Sequence, residues 1–329
     1  MPVQPTHRSA TQDFVVWLQQ EHVVSRRQRT SHDSADLSDF IPTGAICAYL
    51  RSEHRLGNIL KDLFSEDERP VAQTRQNILD YYPVVFAILV EIGKGEYITH
   101  CVAHDTLADA RLPFQTKPPR FPKDNDGAND DGEEVFFARF RKLQARFCAP
   151  VLRKRNAHRV DTDQILPFVE KTLVGVGGSS RVYKIRVHAN HDALREGGIT
   201  IRDGNHHLYA LKSFELGDGE RWHDVEVKAF GKFGKTGLEA QGMVGFYGSF
   251  VHRDIHHLLL EYADKGTLEH FFMNEEPPST SAQILSFWRG ILKVLNAMAT
   301  IHLTDPEPDN SFVYEGYCHP TRDARDSTG

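Results

Sequence analysis

A chain of 329 residues is long enough for two domains, and 40% hydrophobic with 26% charged residues is ordinary globular composition. The net charge of −6 argues against nucleic acid as the main partner, because phosphate backbones select basic surfaces. The greasiest run, residues 84–92, falls far short of the roughly 20 apolar residues of a membrane span, so none is expected.

Cys47, Cys101, Cys148 and Cys318 form no C-x-x-C pair. They are expected to be reduced, mostly buried thiols of an intracellular protein, cytoplasmic or nuclear. The first residues contain no apolar stretch, so no secretory signal is expected.

Residues 1–40 read as a loosely ordered N-terminal segment. A helical region is predicted over 41–114. Ile46, Tyr49, Leu50, Leu56, Ile59, Leu60 and Leu63 recur at three- and four-residue spacings, the signature of one helix face. Pro70 fits the first turn of the next helix, and Pro83 ends or kinks it ahead of a buried helix over 84–92. Residues 115–134, with Pro118, Pro119, Pro122, Gly127, Gly132 and a late acidic cluster, read as an exposed acidic loop.

Residues 135–160 read as a basic amphipathic helix and a connector. Val135, Phe136, Phe140, Leu143 and Phe147 oppose Arg139, Arg141, Lys142 and Arg146. A helix of this kind suits calmodulin or a membrane surface; the favoured expectation is that its aromatics pack on a neighbouring domain while its cations stay solvated. Arg153-Lys154-Arg155 could serve nuclear import, but so short a cluster is a weak signal.

From about residue 165 the texture changes to short strands. Residues 169–176 and 181–188 are rich in β-branched side chains and joined by glycines, which predicts a hairpin. After a polar insertion, with turn signals at Gly197-Gly198 and Asp203-Gly204, come a strand at 207–214, a helix at 219–233, strands at 243–251 and 256–262, and helices at 267–274 and 280–302. The predicted order is β-β-β-α-β-β-α-α.

Three features of this half bear on chemistry. Gly175, Gly177 and Gly178 lie in the hairpin turn, where bare backbone can approach a row of phosphates and aim N–H groups at them. Strands flank the turn on both sides, which argues against a Rossmann or Walker loop, since those open a helix. Lys212 ends an apolar strand, where an ammonium must be paired or solvated. Glu226, on the following helix at the edge of an apolar face built by Val225, Val227 and Phe230, is the expected partner; Glu220 is the alternative.

Together these features resemble the N-terminal lobe of eukaryotic protein kinases, over residues 165–302. The turn resembles the family's G-x-G-x-x-G-x-V at Gly175, Gly177, Ser180 and Val182, with Ser180 in place of the third glycine. Tyr209-Ala210-Leu211-Lys212 is similar to V-A-I-K, and Glu226 to the αC glutamate. The resemblance implies an α+β fold: a five-stranded antiparallel sheet plus one helix, the start of a helical C-lobe, and a mostly α-helical region before them. It implies an ATP site of Gly175, Gly177, Gly178, Val182, Ala210, Lys212 and Glu226, with adenine bonded to backbone near Glu261, Tyr262 and Ala263. It implies phosphoryl transfer to protein Ser/Thr in the parent family. Residues 1–160 look similar to the helical regions that precede kinase domains in some fungal proteins.

His252-Arg253-Asp254 spells the family's catalytic-loop tripeptide, but Leu259 stands where a metal-holding Asn is required, and the tripeptide comes too soon after Lys212. Asp254 is therefore expected in a turn between two strands, and no catalytic residue is assigned. Asp264-Lys265-Gly266 reads as the end of the hinge. Glu315–His319 resembles the approach to a catalytic loop, yet no H-x-D-x-K-x-x-N, D-F-G or A-P-E follows, and Asp323 and Asp326 read as solvated tail acids. The expectation is a kinase-like domain over 165–329, truncated or frame-shifted near His319, with Mg2+ relevant only alongside a complete C-lobe. The rival is a non-catalytic, pseudokinase-like scaffold whose N-terminal helices bind a protein partner. His100-Cys101-x-x-His104-Asp105 and His252-x-x-x-His256 have usable metal spacings but no second pair, and are read as ordinary surface or core histidines.

Overall fold

The computed structural model describes residues 8–20, 39–52, 54–123, 131–195, 207–214, 217, 219–236, 243–264 and 266–303. The insertion turns at 197–204 and the tail motifs at 315–326 lie outside them. The fold is α+β, a helical module followed by a mixed sheet.

The helical module is built around one apolar helix. Its elements are α1 (Ala10–Gln20), α2 (Thr43–Arg51), α3 (Arg55–Leu63), α4 (Ala72–Tyr81), α5 (Pro83–Ile92), α6 (Ile98–Val102) and α7 (Asp131–Gln144). All residues of α5 except Glu91 are buried, so it lies at the centre of the core. Pro83 opens it at the first position, where the missing N–H costs nothing. The carboxylate of Asp109 accepts the next two orphan donors, the N–H groups of Val84 at 2.8 Å and Val85 at 2.9 Å. Gly93, at φ 82°, closes the other end: Gly93 N–H donates to Val90 O and Lys94 N–H to Leu89 O, a Schellman pair.

Several expectations are corrected here. Residues 10–20 are a helix, because Phe14 and Leu18 are fully buried and Phe14 stacks on Tyr49 and Phe86. The apolar stripe over 46–63 belongs to two helices, since the chain turns at Ser52 and restarts after a left-handed His54. Pro70 lies before α4 rather than in its first turn. The α7 helix begins at Asp131, inside the stretch read as loop. Its inward side uses Phe137 rather than Val135, and Phe136, Phe137 and Phe140, with Phe147 beyond its end, join the helical module's own core instead of another domain's. The residues read as a connector form β1 (Leu152–Arg153) and β2 (Arg155–Arg159).

The sheet comprises β2, β3 (Phe168–Val176), β4 (Ser180–Val187), β6 (Leu208–Phe214), β7 (Phe246–His252) and β8 (Ile255–Glu261), in the order β2-β7-β8-β6-β4-β3. It has six strands rather than five: the antiparallel set is extended by β2, which pairs parallel to β7. The short β5 (Asp192–Ala193) pairs parallel with β1.

One face of the sheet carries Tyr183, Ile185, Tyr209, Leu211, Phe250 and Leu259, packed with Leu152, Val160 and Phe168. The other face carries Phe214, Phe246 and Leu258, covered by Val227 and Phe230 of α8 (Gly219–Thr236). After β8 come α9 (Leu268–Asn274), capped by Thr267 Oγ1 accepting from His270 N–H, and α10 (Ser281–Leu303). At the start of α10, Thr280 Oγ1 accepts from Gln283 N–H while Gln283 Oε1 accepts from Thr280 N–H, a reciprocal capping box. Both helices expose apolar side chains, among them Phe272, Met273, Leu285 and Trp288.

Phe40, fully buried, joins the two modules by meeting His188 and His191 edge-on, while Gln164 donates to the carbonyl of Cys148. Among the described residues, no helix is long and apolar enough to cross a membrane.

Candidate functional site

Antiparallel pairing decides which side chains share a face. Val182 lies opposite Lys212 and Lys212 opposite Leu258, while Lys184 lies opposite Ala210 and Ala210 opposite Leu260. These two rows stand on the face that α8 covers at one end. Lys212 Nζ donates to Glu226 Oε1, joining β6 to α8, and its ammonium lies 5.3 Å from the ring centre of Phe214. Both side chains are about three-quarters buried. Glu220 is exposed on the first turn of α8. Val182, opposite Lys212, and Ala210, one row closer to residues 261–263, are both half-buried on this face.

The turn between β3 and β4 is closed by Gly177 N–H donating to Ser180 O at 2.7 Å, with Ser180 buried. A Cβ built on Gly175 or Gly178 would meet nothing within 4 Å, and on Gly177 only ordinary contacts with Ser180. None of the three has positive φ. Neither crowding nor backbone conformation therefore explains three glycines here.

At the opposite end, Glu261 N–H donates to Gly245 O and its carboxylate accepts from Gly245 N–H, which ties the start of β7 to the end of β8. Ala263 is exposed and its carbonyl accepts from Gly266 N–H at 3.5 Å. The ring of Tyr262 lies 5.6 Å from Lys184 Nζ, which also pairs with Glu170.

The tripeptide 252–254 has structural occupations. Arg253 and Asp254 both have positive φ, 50° and 60°, and form the two-residue turn between β7 and β8, the left-handed geometry that twisted hairpins prefer. Asp254 pairs with Arg159, Arg253 donates to Thr162 O, and His252 bonds to Gln164 O.

Sequence reasoning missed His223, which α8 buries against Phe214 and His256; burial holds its imidazole below the ordinary range. The signal was present: His223, Glu226, Val227 and Phe230 share one helix face by spacing. It also missed the buried carboxylate of Asp192 on the far face, which accepts from Tyr209 Oη at 2.8 Å, from Leu194 N–H and, at 2.9 Å, bonds to His207 Nδ1. Among the described residues, no group of three potential metal ligands comes together; His100 and His104 touch edge-on, and His100 bonds to Arg120 O. No family model matches the chain, and no curated protein matches it.

Proposed function

We propose that residues 165–302 are a nucleotide-binding unit of the protein-kinase kind, gripping ATP between the β3–β4 turn and the face of β4, β6 and β8. In this reading Lys212, oriented by Glu226, meets the α- and β-phosphates. Backbone at Gly175, Gly177 and Gly178 covers the phosphates, Val182 and Ala210 line the adenine, and Glu261 and Ala263 offer backbone. The observation that carries the reading is the Lys212–Glu226 bond, which links strand β6 to helix α8. The open space over Gly175 and Gly178 supports it, because a close-approaching ligand gives those glycines the reason that the fold does not. Bound nucleotide supplies the transferable phosphoryl group; phosphoryl transfer to protein Ser/Thr is the activity of the family that the motifs resemble.

Thermal unfolding with and without saturating Mg-ATP tests the reading. A rise in melting temperature is expected, abolished in Lys212→Ala. Gly178→Ala, whose added methyl meets no protein atom, is expected to fold as the parent does and to bind ATP more weakly. ATP binding unchanged in both variants would refute the assignment.

A second reading, a non-catalytic interaction protein, is favoured by the apolar side chains exposed on α9 and α10, which are of the kind that mark association surfaces. Absence of any ATP-dependent shift in the parent protein would favour it.

A further inference from the structure

A pocket of about 380 Å³ opens in the helical module, between α3 and the chain that leads into α4, away from the sheet. His54, Asn58 and Lys61 line one side, each about a turn from the next along α3. Arg69 and Arg75 line the other, and Pro70, buried, is also in the wall. Three cations and a histidine thus converge in a concavity on a chain whose net charge is −6.

No carboxylate is among the lining residues. Of the described acids close in sequence, Glu68 accepts from Ser65 Oγ at 2.8 Å. Asp62 accepts from Thr11 N–H on α1, and Glu66, largely exposed, pairs with Arg69 at 3.5 Å. Among the described residues, Lys61 and Arg75 pair with no acid. His54 stands at the start of α3 in the left-handed region, φ 59°, and its side chain does not cap the helix. A non-glycine residue held there is a cost that functional sites commonly carry.

We propose that this pocket binds a phosphomonoester. Two guanidiniums provide forked donors matched to phosphate oxygens, and Lys61 adds a point charge, so three positive charges, one of them shared with the exposed Glu66, suit a dianion better than a single carboxylate. Asn58 and His54 offer further donors. The volume is at the small end of ligand pockets, about 300–1,000 Å³, enough for a phosphate and a few attached atoms. The phosphate arrives either on a small metabolite or on a phosphorylated side chain.

Calorimetric titration of the full chain with inorganic phosphate, at constant ionic strength, tests this. Saturable binding is expected, weakened about tenfold or more in each of Arg75→Gln and Lys61→Gln, the scale of a lost charge-assisted hydrogen bond. Both side chains are exposed, so both variants should fold, which circular dichroism checks. Lys142→Gln, removing an exposed cation on α7, should leave the titration unchanged. Two further arms, a hexose phosphate and a phosphoserine peptide, identify the source, since the cognate carrier binds more tightly than inorganic phosphate. Absence of saturable binding, titrations equal in parent and both variants, or no gain from either carrier, which leaves an adventitious ion only, would each overturn the proposal.

Discussion

His257 should make the sheet module acid-sensitive. Its side chain lies between β6 and β7, bonded to Ser213 Oγ at 2.8 Å and packed on Phe250 with ring centres 4.9 Å apart. Burial first, then the positive charge of Lys171 and the neighbouring His252, His223 and His256, push its imidazole down to about 3. The unfolded chain, with an ordinary value of 6.5, binds a proton that the native state refuses. Stability therefore rises with pH between about 3 and 6.5, and is lost as pH falls below 6.5. Each pH unit in that window is worth about 1.4 kcal/mol, so His257 alone removes about 2 kcal/mol between neutrality and pH 5. That is a large share of the roughly 5–15 kcal/mol that holds a domain together. The experiment is urea unfolding of the parent and His257→Gln at pH 7, 6 and 5. Glutamine keeps a polar partner for Ser213 and cannot titrate. The parent should lose about 2 kcal/mol more than the variant between pH 7 and 5. Equal pH slopes in the two proteins would refute the argument, as would a His257 ring resonance titrating near 6.5.

Three further outcomes follow from single contacts. Tyr209→Phe strips one donor from the buried carboxylate of Asp192 and should cost about 1.5–3 kcal/mol in urea unfolding; a loss below about 0.5 kcal/mol would show that water or His207 replaces it. Gly95→Ala would bring a methyl to 2.7 Å from Leu63 Cδ1 and 3.1 Å from Val90 Cγ2, overpacking that should cost about 1–3 kcal/mol and lower the melting temperature; an unchanged temperature would show that the site yields. Asp109 has the opposite sign to His257: burial raises its carboxyl to about 7 against the pull of the Val84 and Val85 N–H groups. Its contribution is full below about 4 and is lost as pH rises through about 7. Asp109→Asn should therefore gain on the parent as pH rises from 4 to 7 in urea unfolding, and parallel curves would contradict this.

The sheet half was legible because its strands are short, β-branched and bounded by glycine or polar turns, so period and punctuation agree. The helix expected over 280–302 is α10, and its Thr280-x-x-Gln283 box is a start signal that the sequence reading did not use. The helical half was harder. Ile46 through Leu63 keeps a helical period across a break, because α2 and α3 both face the same core, and periodicity records the face rather than the continuity. Phe14 and Leu18 were overlooked although they lie one turn apart in the apolar run Phe14-Val15-Val16-Trp17-Leu18, because so short a run between polar flanks shows no repeating period. The edge strand β2 carries a basic sequence without apolar alternation, which leaves little strand signal although Arg159 pairs with Asp254 and His158 meets Phe250. In the candidate site, the residue types of Lys212 and Glu226 were readable; the buried His223 and Asp192 were not singled out.

The two faces of β6 explain why Lys212 can be held so firmly on a seven-residue strand. Tyr209 and Leu211, both fully buried, anchor the far face, and Tyr209 is further fixed to Asp192. Side chains alternate along a strand, so this anchoring dictates that Ala210 and Lys212 point to the α8 side. A slip of one residue would bury the ammonium among Ile185, Phe250 and Leu259 and turn Leu211 outward, an exchange that desolvates a charge and exposes an apolar side chain at once. The apolar pattern of the far face thus sets the register, and the register sets the Lys212–Glu226 bond. Val227 and Phe230 then hold α8 against Phe214 and Leu258, so the carboxylate meets the ammonium without either having to search for it.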